Sequence, residues 1–282
     1  MLFTDQLAAD IQRAVAAALA EDIGTGDITA RLTQADSRAR GTVISREDAI
    51  LCGRPWFDAC FRALDPEARI AWAASDGDRI VAGQTLCEIS ARTRALLTAE
   101  RTALNFLQLL SGTATLTRMY VNAIIGTHAR IVDTRKTLPG LRLAQKYAVS
   151  VGGGSNHRLG LYDGVLIKEN HIIAAGGVRA ALERARAVAP SDVFVQIEVE
   201  DLDQLAEALA AGADMILLDN MDAPMLREAV RLSAGRAKLE ASGGVRLDQV
   251  RAVAETGVDR ISIGALTKNL RAIDLSLRHV EE

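Results

Sequence analysis

The chain has 282 residues, 49% of them hydrophobic and 24% charged, with a formal net charge of −3, so it can bury a core without staples and offers no basic surface for nucleic acid. Cys52, Cys60 and Cys87 form no CxxC pair and have no His at ligand spacing, so neither a disulfide framework nor a zinc site is expected. The opening MLFTDQLAADIQRAV has acids and no basic n-region, and no uncharged apolar run approaches the roughly 20 residues of a membrane helix; a cytoplasmic protein is expected, with no signal peptide and no membrane partner.

Residues 4–19 read as an amphipathic helix, with Leu7, Ile11, Val15 and Leu19 at helical spacing and Thr4 or Asp5 placed to cap it. The next run, EDIGTGDITARLT at 21–33, reads as a loop. Strand-like runs follow at 41–45, 69–73, 79–81 and 85–89, separated by DGD and AGQ turn signals and interrupted by a helical run at 55–64. From 93 to 124 the pattern is helical again, carried by Leu96, Leu97, Leu104, Leu107 and Leu110, with a break expected at Ser111-Gly112 and Arg101 on the polar side. These elements make an N-terminal α/β domain, placed at 1–112, with no catalytic constellation of its own.

After Ala129 strands and helices alternate, which argues for a largely parallel sheet. Strands are expected at 130–134, 164–168, 193–199, 214–219, 238–242 and 260–264. Gly212 and Gly257 each stand just past a helix and before an Asp and the next strand, a repetition that marks a β/α barrel, placed at 113–282. Read with period two, one strand face holds Val195, Ile197, Val199, Ile216, Leu218, Leu239, Ala241, Ile261 and Ile263, and packs on helices. The other holds Gln196, Glu198, Leu217, Asp219, Lys238, Glu240, Ser242, Ser262 and Gly264, with Lys168 on an earlier strand. An ordinary barrel interior is filled with branched apolar side chains. A charged lining, costly unless paired, points to a polar ligand cavity; a self-satisfied network around Lys238 is the plainer alternative.

Residues 130–171 concentrate the cations. Arg130, Arg135, Lys136, Arg142, Lys146, Arg158 and Lys168 stand against Asp133, Asp163 and Glu169, and three of the chain's five lysines fall here. Such a local excess suits small anions. Lys146 and Lys268 read equally well as surface lysines. Two turns, Ser242-Gly243-Gly244 and Gly264-Ala265, follow the last two strands, where barrels commonly bind phosphate through backbone N–H groups. Neither GxGxxG nor a P-loop is present.

The runs EDIGTGDIT, AERTALNFLQLLSGTAT, DTRKTLPGLR, KYAVSVGGGSNHR, LIKENH, IEVE, LLDNM, EASGGV and ISIGALT together resemble the quinolinate phosphoribosyltransferase family. The resemblance implies an N-terminal α/β sandwich, a C-terminal open β/α barrel, and a homodimer with shared active sites, or a higher oligomer. It implies that quinolinate and 5-phosphoribosyl 1-diphosphate give nicotinate mononucleotide, diphosphate and CO2, with Mg2+ on the diphosphate. By position, Arg135, His157 and Arg158 would hold the quinolinate carboxylates with Lys136, Thr137 and Lys168 nearby, and Arg101 would reach in from the partner subunit. Glu198 and Asp219 would bind ribose hydroxyls and water on the metal. Ser242, Gly243, Gly244, Ile263, Gly264 and Ala265 would hold the 5-phosphate. Lys136, Lys168, Glu198 and Asp219 are the expected catalytic residues.

Three other readings compete. A related pyrophosphorylase found with molybdate transport shares the fold. A Schiff-base aldolase would use Lys168 at its strand end, and a non-catalytic sensor would bind phosphorylated ligands without turnover.

Overall fold

The computed structural model describes residues 4–281, and the side chains of 6–279. In chain order these form α1 (Thr4–Ile23), β1 (Arg38–Ser45), β2 (Ala49–Ile50), α2 (Arg54–Leu64), β3 (Arg69–Trp72), β4 (Arg79–Ile80), β5 (Thr85–Arg92) and α3 (Thr93–Ala123). Then come β6 (Arg130–Val132), α4 (Arg142–Val151), β7 (Gly164–Ile167), α5 (Glu169–Ala175), α6 (Val178–Val188), β8 (Phe194–Val199), α7 (Leu202–Ala210), β9 (Met215–Asp219) and α8 (Ala223–Ser233). The chain finishes with β10 (Lys238–Ser242), α9 (Val250–Ala254), β11 (Arg260–Ser262), α10 (Ala265–Lys268) and β12 (Leu275–Glu281). No helix among the described residues is long and apolar enough to cross a membrane.

The chain divides into two compact units, and the first is discontinuous: residues 1–116, 138–153 and 269–282. The sequence division at 112/113 gave α4 and the C-terminus to the barrel. In space both belong to the first unit. β12 completes an antiparallel sheet of order β12-β1-β5-β3, with Val43 opposite Leu277 on one side and Cys87 on the other. β12 thereby pairs the N–H and C=O groups that β1 would present as an edge strand. Under the sheet lies a core of Val43, Leu86, Ile89, Trp56, Phe57, Phe61, Leu96, Leu104 and Leu107.

α1 buries Ile11, Val15 and Leu19 as their spacing requires, but continues four residues past the expected end to Ile23; its expected cap at Thr4 or Asp5 lies outside the described side chains. The EDIGTGDIT run that follows is tied to α3: Ala30 N–H and Thr98 Oγ1 both donate to Asp27 (2.9 Å each), and Thr102 Oγ1 donates to Asp22 (3.4 Å). The expected break at Ser111-Gly112 is absent, since α3 runs unbroken. Ser111 instead bonds both the N–H and the C=O of Cys52 (2.9 and 3.0 Å), and a Cβ on Gly112 would overlap the carbonyl oxygen of Arg271. The glycine permits close packing and does not break the helix. Lys146, expected as readily at the surface, is fully buried in α4.

The second unit, residues 117–137 and 154–268, is a six-stranded parallel sheet of order β6-β11-β10-β9-β8-β7 wrapped by helices. β6 and β7 do not pair with each other, so the β/α barrel is open. Of the helix-facing residues, Ile197, Val199, Ile216, Leu218, Leu239, Ala241, Ile261 and Ile263 are buried, as the two-residue period requires, and Val195 near the start of β8 is half-buried. The turns at Gly212 and Gly257 have φ of 70° and 95°, which lets each close its helix and enter the next strand. Three strands stop short of their expected ends. β6 ends at Val132, β7 at Ile167 and β11 at Ser262, because the residues beyond leave the ladder to shape loops around the cavity.

Candidate active site

At the C-terminal ends of these strands lies a cavity of about 180 Å³ lined by Asp133, Thr134, Arg135, Lys136, His157, Arg158, Leu166, Lys168, Glu198, Leu217, Glu240, Ser242 and Ser262. Seven of the residues expected from sequence therefore meet in one place: Arg135, Lys136, His157, Arg158, Lys168, Glu198 and Ser242.

The loops are held locally. Beyond β6, fully buried Asp133 accepts hydrogen bonds from Asn156 Nδ2 (2.6 Å) and from His157 N–H (2.9 Å), fixing the NHR run beside the strand end. Ser155 bridges to Val132 in parallel. In the DTRKT loop, Lys136 N–H donates to Thr134 Oγ1 (3.1 Å), Thr137 N–H to Arg135 O (3.0 Å) and Thr267 Oγ1 to Lys136 O (2.8 Å). Thr137 thus shapes the turn through its backbone. Lys168 caps α5, its N–H bonded to His171 Nδ1 (3.0 Å), while its Nζ lies 3.2 Å from Glu198 Oε2.

Two guanidinium groups face the same space. Arg158 donates through Nη1 to Gly164 O (3.0 Å), and its pKa is pushed below the ordinary value by burial first and by the charge of Arg135 second, with Asp163 opposing. Arg135 Nε is buried without a hydrogen-bond partner among the described residues. Two mutually repelling cations with a donor left over are what a bound dianion would satisfy.

Asp219, Gly243, Gly244, Ile263, Gly264 and Ala265 stand on neighbouring strand ends without lining that cavity. Asp219 ends β9 in register with Ser242 of β10, partly buried, with Oδ2 accepting from Asn220 Nδ2 (2.7 Å). Gly243 and Gly244 follow Ser242 with φ of 116° and 63° and are exposed. Gly264 packs on Lys136, whose Cδ would be 3.2 Å from an added Cβ, and Ala265 opens α10. Ile263 is buried, and its N–H bonds Val132 O (2.9 Å). Lys238, placed on the lining by its strand face, is exposed at the opposite, N-terminal end of β10 and pairs with no carboxylate among the described residues; Glu240 pairs with Arg260 (3.1 Å). Arg101 is exposed on α3, in the first unit, with no hydrogen bond or ion pair to a described residue.

Sequence reasoning gave no role to Asp133, Thr134 or the Gln196–Glu240–Arg260 group. Period-two alternation had put Gln196 and Glu240 inward, and that was the available signal. The first unit contains a larger hollow, about 850 Å³, lined by residues of α1 and α2 together with Asp76 and Tyr147. Its charged groups are already committed: Arg54 over the Trp72 ring at 5.0 Å, Arg62 to Asp58, and Asp76 to the N–H groups of Gly53 and Arg54. It presents no converging free cations.

Comparison with known proteins identifies the family. Residues 27–111 match the model of the quinolinate phosphoribosyl transferase N-terminal domain and residues 113–278 that of its C-terminal domain. The chain is similar to the probable nicotinate-nucleotide pyrophosphorylase [carboxylating] of Bacillus subtilis (strain 168), at 41% identity over 91% of this chain and 89% of that one. It is 44% identical to the nicotinate-nucleotide pyrophosphorylase [carboxylating] of Mycobacterium leprae (strain TN), over 92% and 94% of the two chains. The solved nicotinate-nucleotide pyrophosphorylase from Francisella tularensis superposes with a TM-score of 0.94 at 46% identity, covering 97% of each chain. The chain belongs to the quinolinate phosphoribosyl transferase family.

Proposed function

We propose that the cavity cations bind quinolinate and that the neighbouring strand ends bind 5-phosphoribosyl 1-diphosphate. The chain is a pentosyltransferase of NAD biosynthesis, joining these two substrates with decarboxylation to give nicotinate mononucleotide, diphosphate and CO2. The observation that carries the site assignment is the pair Arg135 and Arg158, crowded together with a buried Nε unpartnered.

In this reading the guanidinium forks take the two ring carboxylates, with Lys136 and Lys168 as point charges beside them. Glu198 and Asp219 face the ribose and stabilise positive charge developing at its anomeric carbon. The exposed backbone of Gly243 and Gly244 receives the 5-phosphate with Ser242, and Gly264 and Ala265 close that end. Among the described residues no group of three or more His, Cys, Asp or Glu is placed to enclose a metal ion. Two carboxylates at strand ends suit Mg2+ carried in on the diphosphate with its water shell. There it would neutralise the leaving group, with Glu198 and Asp219 reaching its water.

We further propose a homodimer with Arg101 completing the partner's site, supported by an exposed arginine that has no partner among the described residues of its own chain. A cytoplasmic setting fits three buried free thiols; burial pushes each up, Cys60 to about 12. The aldolase alternative is not favoured, because Lys168 is half exposed and ion-paired where a Schiff-base lysine needs a dry pocket. The test is formation of nicotinate mononucleotide from quinolinate, phosphoribosyl diphosphate and Mg2+, with nicotinate as control. Comparable turnover of nicotinate would overturn the assignment of two carboxylates to the cation cluster.

A further inference from the structure

We propose that Gln196, Glu240 and Arg260 form a buried positioning relay that locks His157 as the Nε2–H tautomer and thereby fixes Arg158. The inference rests on the quinolinate reading of the cavity for its kinetic consequence, though its structural part stands alone.

The relay has a fixed polarity at each end. At one end the backbone N–H of Arg158, which can only donate, bonds His157 Nδ1 at 2.7 Å. At the other, the Glu240 carboxylate, which when ionised can only accept, receives Gln196 Nε2–H through Oε2 at 3.2 Å. Glu240 is 1% exposed and is held by Arg260, whose Nε lies 3.1 Å from the same oxygen.

Between these ends there is one consistent assignment. The Gln196 amide must turn its NH2 toward Glu240, which leaves Oε1 facing His157 Nε2 at 2.8 Å. An amide oxygen only accepts, so Nε2 carries the proton and Nδ1 is the acceptor for Arg158 N–H. Gln196 is fully buried, and the His157 ring is seated edge-on against Phe194 at 5.5 Å and 73°. The second Glu240 oxygen, Oε1, is 3.7 Å from His157 Nε2, too far for a hydrogen bond, so the glutamate acts through Gln196.

The output of the relay is Arg158. Its backbone N–H is held by the ring and its guanidinium by Gly164 O. Losing the first of these frees the residue to turn away from Arg135. The three relay residues touch no substrate in this scheme and are positioning residues.

The test uses the full chain with 15N-labelled histidine, assigning His157 by comparison with His157→Asn. Long-range 1H–15N correlation of the unliganded parent should show a single tautomer with the proton on Nε2. Gln196→Leu should mix the tautomers and raise the KM for quinolinate about tenfold, the loss of one to two hydrogen bonds, with a smaller change in kcat. Glu240→Gln can still accept from Gln196 and should retain the signature, while Glu240→Leu should lose it. A proton on Nδ1 in the parent would overturn the relay without any variant having to fold. So would an unchanged spectrum and KM in folded Gln196→Leu. An Nε2–H signature in a protein that does not turn over quinolinate would support the relay and sink the functional reading instead.

Discussion

Lys168 and Glu198 meet at 3.2 Å across neighbouring strands, at the C-terminal ends of β7 and β8, with 52% of the lysine side chain and 15% of the carboxylate exposed. A pair this open adds at most about 1 kcal/mol to stability. Lys168→Ala should therefore leave the melting temperature nearly unchanged while lowering kcat/KM for quinolinate about a hundredfold or more, since an ammonium beside a partly desolvated anion is worth far more than one in water. Parallel melting and steady-state measurements decide it. Retained activity in a folded variant would remove Lys168 from the site.

On the next two strands, Gly243 approaches Asn220 so closely that a Cβ would stand 2.9 Å from its Cα and backbone N. Asn220 itself has φ of 55° and donates its N–H to Ser242 O at 2.9 Å. Gly243→Ala must push this turn apart, and with it the end of β9 where Asp219 sits. The expected result is weaker binding of phosphoribosyl diphosphate with quinolinate binding unchanged, read by calorimetric titration of each substrate. Equal weakening of both would show a general collapse of the strand ends.

Stability against acid should depend on Asp65, which is 1% exposed at the end of α2. Burial alone would raise this carboxyl, but hydrogen bonds from the N–H groups of Arg92 (2.8 Å) and Glu67 (3.2 Å) and the charges of Arg92 and Arg38 outweigh it and hold its pKa below the ordinary range. A depressed carboxylate stabilises the fold fully above its unfolded pKa, about 3.9, and that contribution vanishes as pH falls through the lower folded value. Asp65→Ala should cost roughly 1–3 kcal/mol at pH 7 by leaving those N–H groups unpaired. The gap between variant and parent in denaturant titrations should narrow below about pH 4. A gap independent of pH would assign the loss to packing alone.

Most of the barrel was legible because a parallel sheet buried on both faces imposes two strict periods at once, one on the strands and one on the helices. Ile197, Ile216, Leu239 and Ile261 could not sit elsewhere. What escaped depended on distant partners. β12 becomes a strand by lying beside β1, more than two hundred residues away in sequence. Gly112 looked like a helix breaker because the carbonyl of Arg271 that explains it is remote in sequence. Lys238 shares a strand face with Glu240 yet sits at the other end of the strand, a distinction that period two does not make. Gln196 and Glu240 faced inward as expected, but their role needed the ring nitrogens of His157 to be seen. Motif residues with local anchors fared best: Arg135, Lys136, His157 and Arg158 converge because Asp133 ties their two loops together.

Shared sites would show in subunit mixing. Arg101 is exposed on α3 and has no partner among the described residues of its own chain, while Lys136 lines the cavity beside Arg135. If Arg101 meets a carboxylate of the substrate bound to a second copy, removing it should cost roughly 2–5 kcal/mol of binding, because the anion is then left short of a cation in a partly desolvated site. Arg101→Ala and Lys136→Ala proteins should each be nearly inactive alone. Mixed in equal amounts under conditions of subunit exchange, about half of the dimers would be heterodimers, each with one site holding both residues and one holding neither, so about a quarter of the parent activity should return. Exchange is followed separately with a tag on one variant, so that a negative result has one meaning. Demonstrated exchange with no recovered activity would place Arg101 within its own chain's chemistry or outside the reaction altogether.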